Sequence, residues 1–368
     1  MRTICIIGGK LQGFEVTYLA HKACMKVVLV DRREKPLISN AVDSFHCFDI
    51  VAEPDKLREI SKNVDAIIPV NENIETIGFL KILKDELSCP VLFDFDAYNI
   101  SMDKKRSKDF FYSIDVPTPA DNPASPPYFI KPPCESSSVG TSIIYDESEL
   151  EELDPTMLVE EYVQGDIVSL EVIGDGEHFM LAKETKVHVD GTYDCHMVTP
   201  ARYHQELRDI SCKLARSMGL RGIMDIEAID SPEGLKILEI DARFPSQTPS
   251  VVYHSSGINL VEMLLQAFLT GIEEKEILET VPDRYHCTFE QLGLREGELV
   301  PVGEHVISQG TDYNVFYTSE GVDIFECTGS TRVFTLMSWG PGEEEAENHR
   351  QRGLSIVREY LGIKNMEE

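Results

Sequence analysis

The chain has 368 residues, 42% apolar and 27% charged, the balance of a globular protein and too long for one ordinary domain of ~100–200 residues. Its 34 basic against 64 acidic residues leave a net charge of −30, which repels nucleic acid and anionic membrane surfaces, so neither is an expected partner. No apolar run approaches the ~18 residues that span a bilayer, and nine scattered cysteines without a Cys-x-x-Cys pair form no disulfide or zinc framework, so a cytoplasmic protein with reduced thiols is expected.

Residues 1–100 alternate short apolar runs with helical stretches, which predicts a Rossmann-like parallel α/β domain. Strands are expected at Ile4–Ile7, Lys26–Val30 and Ala66–Val70, and helices at Gly13–Ala23 and Pro54–Asn63. The run Gly8-Gly9-Lys10-Leu11-Gln12-Gly13 half matches a dinucleotide fingerprint. Lys10 stands where a glycine would let backbone approach a pyrophosphate, so another small molecule at the strand ends is a better expectation than NAD or FAD. The third strand delivers Asn71-Glu72-Asn73 to its carboxyl end. Glu72 there suits a substrate ammonium group, or caps the helix Ile74–Leu83 as a loop acid.

A charged helix near Asp103–Ser113 and the proline-rich stretch Val116–Pro127 open a second, α+β domain, placed at 101–271. Lys131 ends a strand at Phe129-Ile130-Lys131-Pro132. The small residues of Glu135–Gly140 then either wrap phosphate oxygens or form a surface loop. Met157–Asp166 reads as a strand entering a turn, with backbone amides near Val163 free for a planar base. Beyond the helix Leu260–Phe268, a β-rich remainder ending in the helix Glu343–Leu361 is expected to form a small third domain over 272–368.

The most informative segment is the predicted hairpin Gly222–Ile229 and Leu235–Arg243, turning at Ser231–Gly234. Pairing its arms sets Glu227 near Glu239 and Asp225 near Asp241, all on one face by the period-two rule. Like charges opposed across strands destabilise, so the four acids need a cation or open water. Ile226, Leu238 and Ile240 are expected to face the core. Hard oxygens suit magnesium, and Arg243 on the acid face suits a phosphate or carboxylate.

Taken in order, Asp103-Lys104, Val116-Pro117-Thr118-Pro119, Ile130-Lys131-Pro132 with its small-residue loop, Glu160-Glu161-Tyr162-Val163 and Glu239-Ile240-Asp241-Ala242-Arg243 resemble the ATP-grasp superfamily. Asp241 departs from that pattern, which usually has Asn there. The resemblance implies an ATP-grasp fold with an N-terminal Rossmann-like domain and a small C-terminal domain, working with ATP and Mg2+. It assigns ATP to Lys104, Lys131, Ser138, Glu160, Glu161, Tyr162, Val163 and Asp166, and metal to Glu227, Glu239 and Asp241.

Closer still, Gly8–Gly13, Lys131–Gly140, Tyr193–Pro200 and Ile240–Pro249 are similar to the pyrrolysine-pathway ligases of methanogens. That resemblance implies 3-methyl-D-ornithine and L-lysine as substrates, an acylphosphate, and an amide to the lysine ε-amine. Ser169, Leu170, Glu171, Asp225, Arg243 and Ser246 would line the ornithine site, Lys10, Leu11, Gln12 and Glu72 would receive lysine, and Arg243 and Lys131 would act in catalysis. The base for the amine is not identified. Another ATP-grasp ligase or carboxylase, or a non-catalytic nucleotide-binding regulator, stays open, as does a monomer or dimer.

Overall fold

The computed structural model describes residues 1–134, 140–273, 282–329 and 331–363. Strands β1 (Thr3–Ile7), β2 (Lys26–Asp31), β3 (Ser44–Cys47) and β4 (Ala66–Pro69) make a parallel sheet in the order β3-β2-β1-β4. Ile4, Cys5 and Ile6 are all fully buried, because helices cover both faces of a parallel sheet. These helices are α1 (Leu11–Lys22), α2 (Pro54–Ser61) and α3 (Ile74–Leu83), with α4 (Phe95–Ser101) and α5 (Lys104–Ser113) leading onward. Asn73 caps α3, its side chain accepting from Thr76 N at 2.9 Å, so Glu72 is not the cap. Asp103 caps α5 by accepting from Lys105 N at 2.9 Å, which fixes Lys104 at the first helical position.

Strands β5 (Tyr128–Lys131), β6 (Ser142–Ile144) and β7 (Leu158–Glu161) form a small sheet, β6-β5-β7, over Tyr128, Ile130 and Ile144. The remaining strands make one large antiparallel sheet: β8 (Asp166–Asp175), β9 (Phe179–Leu181), β10 (Thr185–Val189), β11 (Cys195–Pro200), β12 (Arg221–Ser231), β13 (Gly234–Asp241), β14 (His286–Arg295), β15 (Glu298–Pro301), β16 (Asp312–Ser319), β17 (Val322–Thr328) and β18 (Val333–Gly340). Its path runs β13-β12-β8-β10-β11-β14-β18-β17-β16. Helices α6 (Gln205–Met218), α7 (Thr248–Ser256), α8 (Leu260–Leu269), α9 (Glu304–Ser308) and α10 (Glu343–Leu361) are the other α-helices of the described residues.

The C-terminal strands continue the central sheet rather than making one of their own: β14 joins β11, with Met197 opposite Glu290 and Val198 opposite Phe289. The first sheet is tied to them too. Phe14 of α1 meets Tyr313 and Phe325 edge-on, at ring centroids 4.5 and 4.8 Å apart. Among the described residues no helix is long and apolar enough to cross a membrane, and the nine cysteines are free thiols.

Candidate active site

The β12–β13 hairpin sets the chemistry of the site. Gly234 closes its turn at a φ of 116°, a left-handed conformation that glycine adopts without a Cβ clash, and Ser231 Oγ donates to the Gly234 carbonyl at 2.7 Å. That closure fixes the expected register, Asp225 opposite Asp241 and Glu227 opposite Glu239. On the far side of β12, strand β8 puts Glu171 opposite Asp225 and Ser169 opposite Glu227. Alternation therefore stacks two rows on one face: Glu171, Asp225 and Asp241, then Ser169, Glu227 and Glu239.

Leu238 departs from expectation. The register slips after Glu227, so that Ala228 faces Ile237 and Leu238 is left as the extra residue of a bulge. Ile237 takes the core position, fully buried, while Leu238 lines the cleft with Ile229. Strict alternation cannot anticipate this, since no residue type near Leu238 marks the insertion.

The acid face floors a cleft of about 770 Å³, within the range of small-molecule sites. Lys104, Arg243 and Lys131 act on the acid face, all three lowering the pKa of Glu239. Lys104 Nζ lies 2.8 Å from Glu239 Oε2, and Arg243 reaches Asp241 Oδ2 at 2.9 Å and Glu72 Oε1 at 3.0 Å. Lys131 Nζ sits 2.8 Å from Glu160 Oε2, whose other oxygen takes Lys108 Nζ at 2.5 Å. Glu160 is buried, lines the cleft and spends its two carboxylate oxygens on Lys108 and Lys131, so it orients both lysines. Lys108 escaped the sequence reading. Its signal was the i, i+4 spacing from Lys104, which puts both amines on one face of α5.

Burial raises the Glu227 carboxyl well above its usual range, with the neighbouring Glu239, Asp225 and Asp241 charges adding to the effect. Burial also pushes Asp241 up to about 7 despite Arg243, and Glu171 up to about 8 with help from Asp225. For Glu239 the penalty of burial is outweighed by Lys104, and its pKa falls. Among the described residues no three carboxylate, imidazole or thiolate groups converge as a closed ligand set, because Lys104 and Arg243 hold Glu239 and Asp241. The cluster nonetheless fits magnesium. Its donors are hard oxygens in mutual repulsion, and magnesium takes one or two carboxylates beside substrate phosphates.

The other predicted residues divide by depth. Asp225, Ser246, Glu161, Tyr162, Val163 and Asp166 line the cleft. Glu161 accepts from Ala120 N at 2.9 Å and pairs with Lys236, while Asp166 pairs with Lys186 at 2.7 Å. Ser169 and Glu171 stand on the same face but are fully buried: Ser169 donates to Asp225, and Glu171 accepts from Thr248. Leu170, between them on β8, is fully buried in the core, so its side chain is kept off the acid face. Ser138 lies outside the described residues.

A second cavity of about 570 Å³ opens at the carboxyl ends of β1, β2 and β4, lined by Lys10 and Leu11. Gln12, Glu72 and Glu304 line both cavities, and Gln12 Nε2 donates to Glu72 Oε1 at 2.8 Å. The sequence reading also missed Gln247, which lines the main cleft at a φ of 71° with its Nε2 buried and unpartnered among the described residues. Such backbone strain clusters at functional sites.

Comparison with known proteins bears on the family and the fold. Residues 101–247 match the model of the ATP-grasp domain. The chain is 60% identical to the 3-methyl-D-ornithine–L-lysine ligase of Methanosarcina acetivorans, over 98% of this chain and 99% of that one. It is 58% identical to the enzyme of the same name from Methanosarcina barkeri, again over 98% and 99%. A D-alanine–D-alanine ligase of Cereibacter sphaeroides is 32% identical over 42% of this chain and 59% of its own. Among solved structures, biotin carboxylase from Campylobacter jejuni superposes with a TM-score of 0.71 at 15% identity, covering 94% of this chain and 89% of its own, a likeness of fold.

Proposed function

The chain belongs to the family of 3-methyl-D-ornithine–L-lysine ligases, with an ATP-grasp fold, and from that premise we propose how its cleft makes an amide. It is an ATP-dependent carbon–nitrogen ligase that joins 3-methyl-D-ornithine and L-lysine in pyrrolysine biosynthesis. The observation that carries the detailed reading is the meeting, in one cleft, of the two-row acid face with Lys104, Lys131 and Arg243.

In this reading residues 101–271 grip ATP and the ornithine, residues 1–100 present lysine, and residues 272–368 close the amine side. Lys104 and Lys131 hold the triphosphate, the latter oriented by Glu160. Leu238, Ile229 and Val163 offer apolar surface to the adenine beside Glu161 and Tyr162. Glu227, Glu239 and Asp241 would hold magnesium, which when bound neutralises charge between triphosphate and carboxylate. Asp225 and Ser246 receive the ornithine, with Ser169 bracing Asp225 and Glu171 holding Thr248 beside it.

The ornithine carboxylate attacks the γ-phosphorus and ADP departs, leaving an acylphosphate. Arg243 stabilises the charge that gathers on the reacting oxygens. The lysine ε-amine then attacks the acyl carbon and phosphate leaves. Mass analysis of the product from ATP, magnesium, lysine and 3-methyl-D-ornithine tests this. The reading requires one amide joining the two amino acids, with one ADP and no AMP; ADP release without an amide refutes it.

A further inference from the structure

A lysine side chain carries its proton up to a reference pKa of ~10.4, so the amine needs a base before it can attack. Two acids stand where both cavities meet, Glu72 and Glu304. Glu72 is poorly suited, since Arg243 Nε at 3.0 Å and Gln12 Nε2 at 2.8 Å both stabilise its anion. Glu304 is the first residue of α9. Its Oε1 accepts from Ser246 Oγ at 3.0 Å, and its Oε2 makes no hydrogen bond among the described residues.

The backbone of Glu304 is held in place from the β10–β11 turn. Asp194 Oδ2 accepts from His305 N at 3.1 Å and pairs with the His305 ring. A Cβ on Gly303 would collide with the Asp194 side chain, so glycine suits the position before Glu304. The carboxylate thus stands on a pinned helix terminus, beside a residue proposed for the ornithine and facing the cavity proposed for lysine.

We infer that Glu304 is the catalytic base that takes the proton from the attacking ε-amine. This rests on the function proposed above and names a group which that reading leaves open. One proton passes from the ε-ammonium to a Glu304 oxygen, freeing the nitrogen lone pair. The C–N bond forms and the bond from acyl carbon to phosphate oxygen breaks, its electron pair leaving with phosphate. The nitrogen's second proton goes to the departing phosphate, and Glu304 returns its own to solvent. Burial pushes the Glu304 carboxyl up to about 7; Arg243 and the Ser246 hydroxyl pull it down, and Asp194 and Glu72 push it up. Glu15 of α1 and Cys195 of β11 face it as well. A general base works best with a pKa close to the pH at which it operates.

The test separates the two chemical steps in the full-length enzyme with ATP, magnesium and 3-methyl-D-ornithine. Hydroxylamine, without lysine, traps activated ornithine; with lysine, the amide is measured. Glu304→Gln is expected to trap as wild type does while amide formation falls about a hundredfold to ten-thousandfold. Its residual amide rate should climb about tenfold per pH unit above neutrality, following the free amine, where the wild-type rate levels off. Wild-type amide formation in the variant overturns the inference, as does an equal loss of trapping and amide with a wild-type pH profile. If Glu304→Gln does not fold, Glu304→Asp decides: slowed amide formation with intact trapping supports the base, and an unchanged rate overturns it. Absence of trapping in the wild-type enzyme overturns the proposed function itself, and this inference with it.

Discussion

Lys104 and Glu239 come from separate segments, the first turn of α5 and the second arm of the acid hairpin, yet their charged atoms lie 2.8 Å apart. The pair joins the expected phosphate grip to the expected metal cluster. Glu239→Gln removes a metal oxygen and loosens Lys104 together. We predict that ADP release falls roughly a hundredfold to a thousandfold, on the scale of losing one transition-state partner. The thermal melt should hardly change, because Asp241 and Glu227 remain near Lys104. Wild-type turnover in this variant would sink the metal assignment.

Glu160 and Glu161 are neighbours with opposite expectations. Glu160 is buried between Lys108 and Lys131, and breaking such a pair leaves uncompensated charge at a cost of about 3–5 kcal/mol. Glu160→Gln should therefore lower the denaturant midpoint and raise the ATP Michaelis constant. Glu161→Gln touches a partly exposed pair with Lys236 and should cost about 1 kcal/mol or less. Equal destabilisation of the two variants would contradict this division.

How far the sequence could lead is clearest at the hairpin. Period-two alternation and the Ser231–Gly234 turn are local signals, and they gave the pairing of Asp225 with Asp241 and Glu227 with Glu239 that the structure has. Leu238 was misplaced because a bulge is a defect in the ladder between two strands, set by the partner as much as by the bulged residue. Leu170 was carried over with its neighbours, although alternation alone would have put it on the opposite face. Glu304 had no local signal. It reaches the site only because β14 extends the central sheet and returns α9 to Asp194 and Ser246, a contact between distant parts of the chain.

Glu15 offers a pH test at a residue outside the proposed metal set. It is buried against α7, accepting from Ser250 Oγ at 2.6 Å, and burial pushes its carboxyl up from 4.5 to about 7. An acid with a raised folded pKa binds its proton more tightly when folded. Its contribution to stability is complete below 4.5 and declines as pH rises towards about 7. Glu15→Gln mimics the protonated form, so it should stabilise at about pH 8, by on the order of 3 kcal/mol, and change little at about pH 5. Melting curves with the same offset at both pH values would refute this account of Glu15.

D-ornithine, which lacks only the methyl group, should serve as a substrate. One methyl in an apolar pocket discriminates by ~1–3 kcal/mol, which slows turnover without abolishing it. Competition kinetics against the methylated compound give the ratio. A complete absence of D-ornithine product, with the methylated substrate active, would show that the methyl is sensed by more than packing.

The central claim is that the cleft activates the ornithine carboxylate as an acylphosphate before the lysine amine attacks it. Oxygen-18 placed in that carboxylate gives the most direct reading, since the oxygen that attacks the γ-phosphorus must leave with phosphate when the amine displaces it. The account predicts one labelled oxygen in inorganic phosphate for each amide formed, with ADP unlabelled. Amide formation with unlabelled phosphate, or label recovered in AMP, would contradict it.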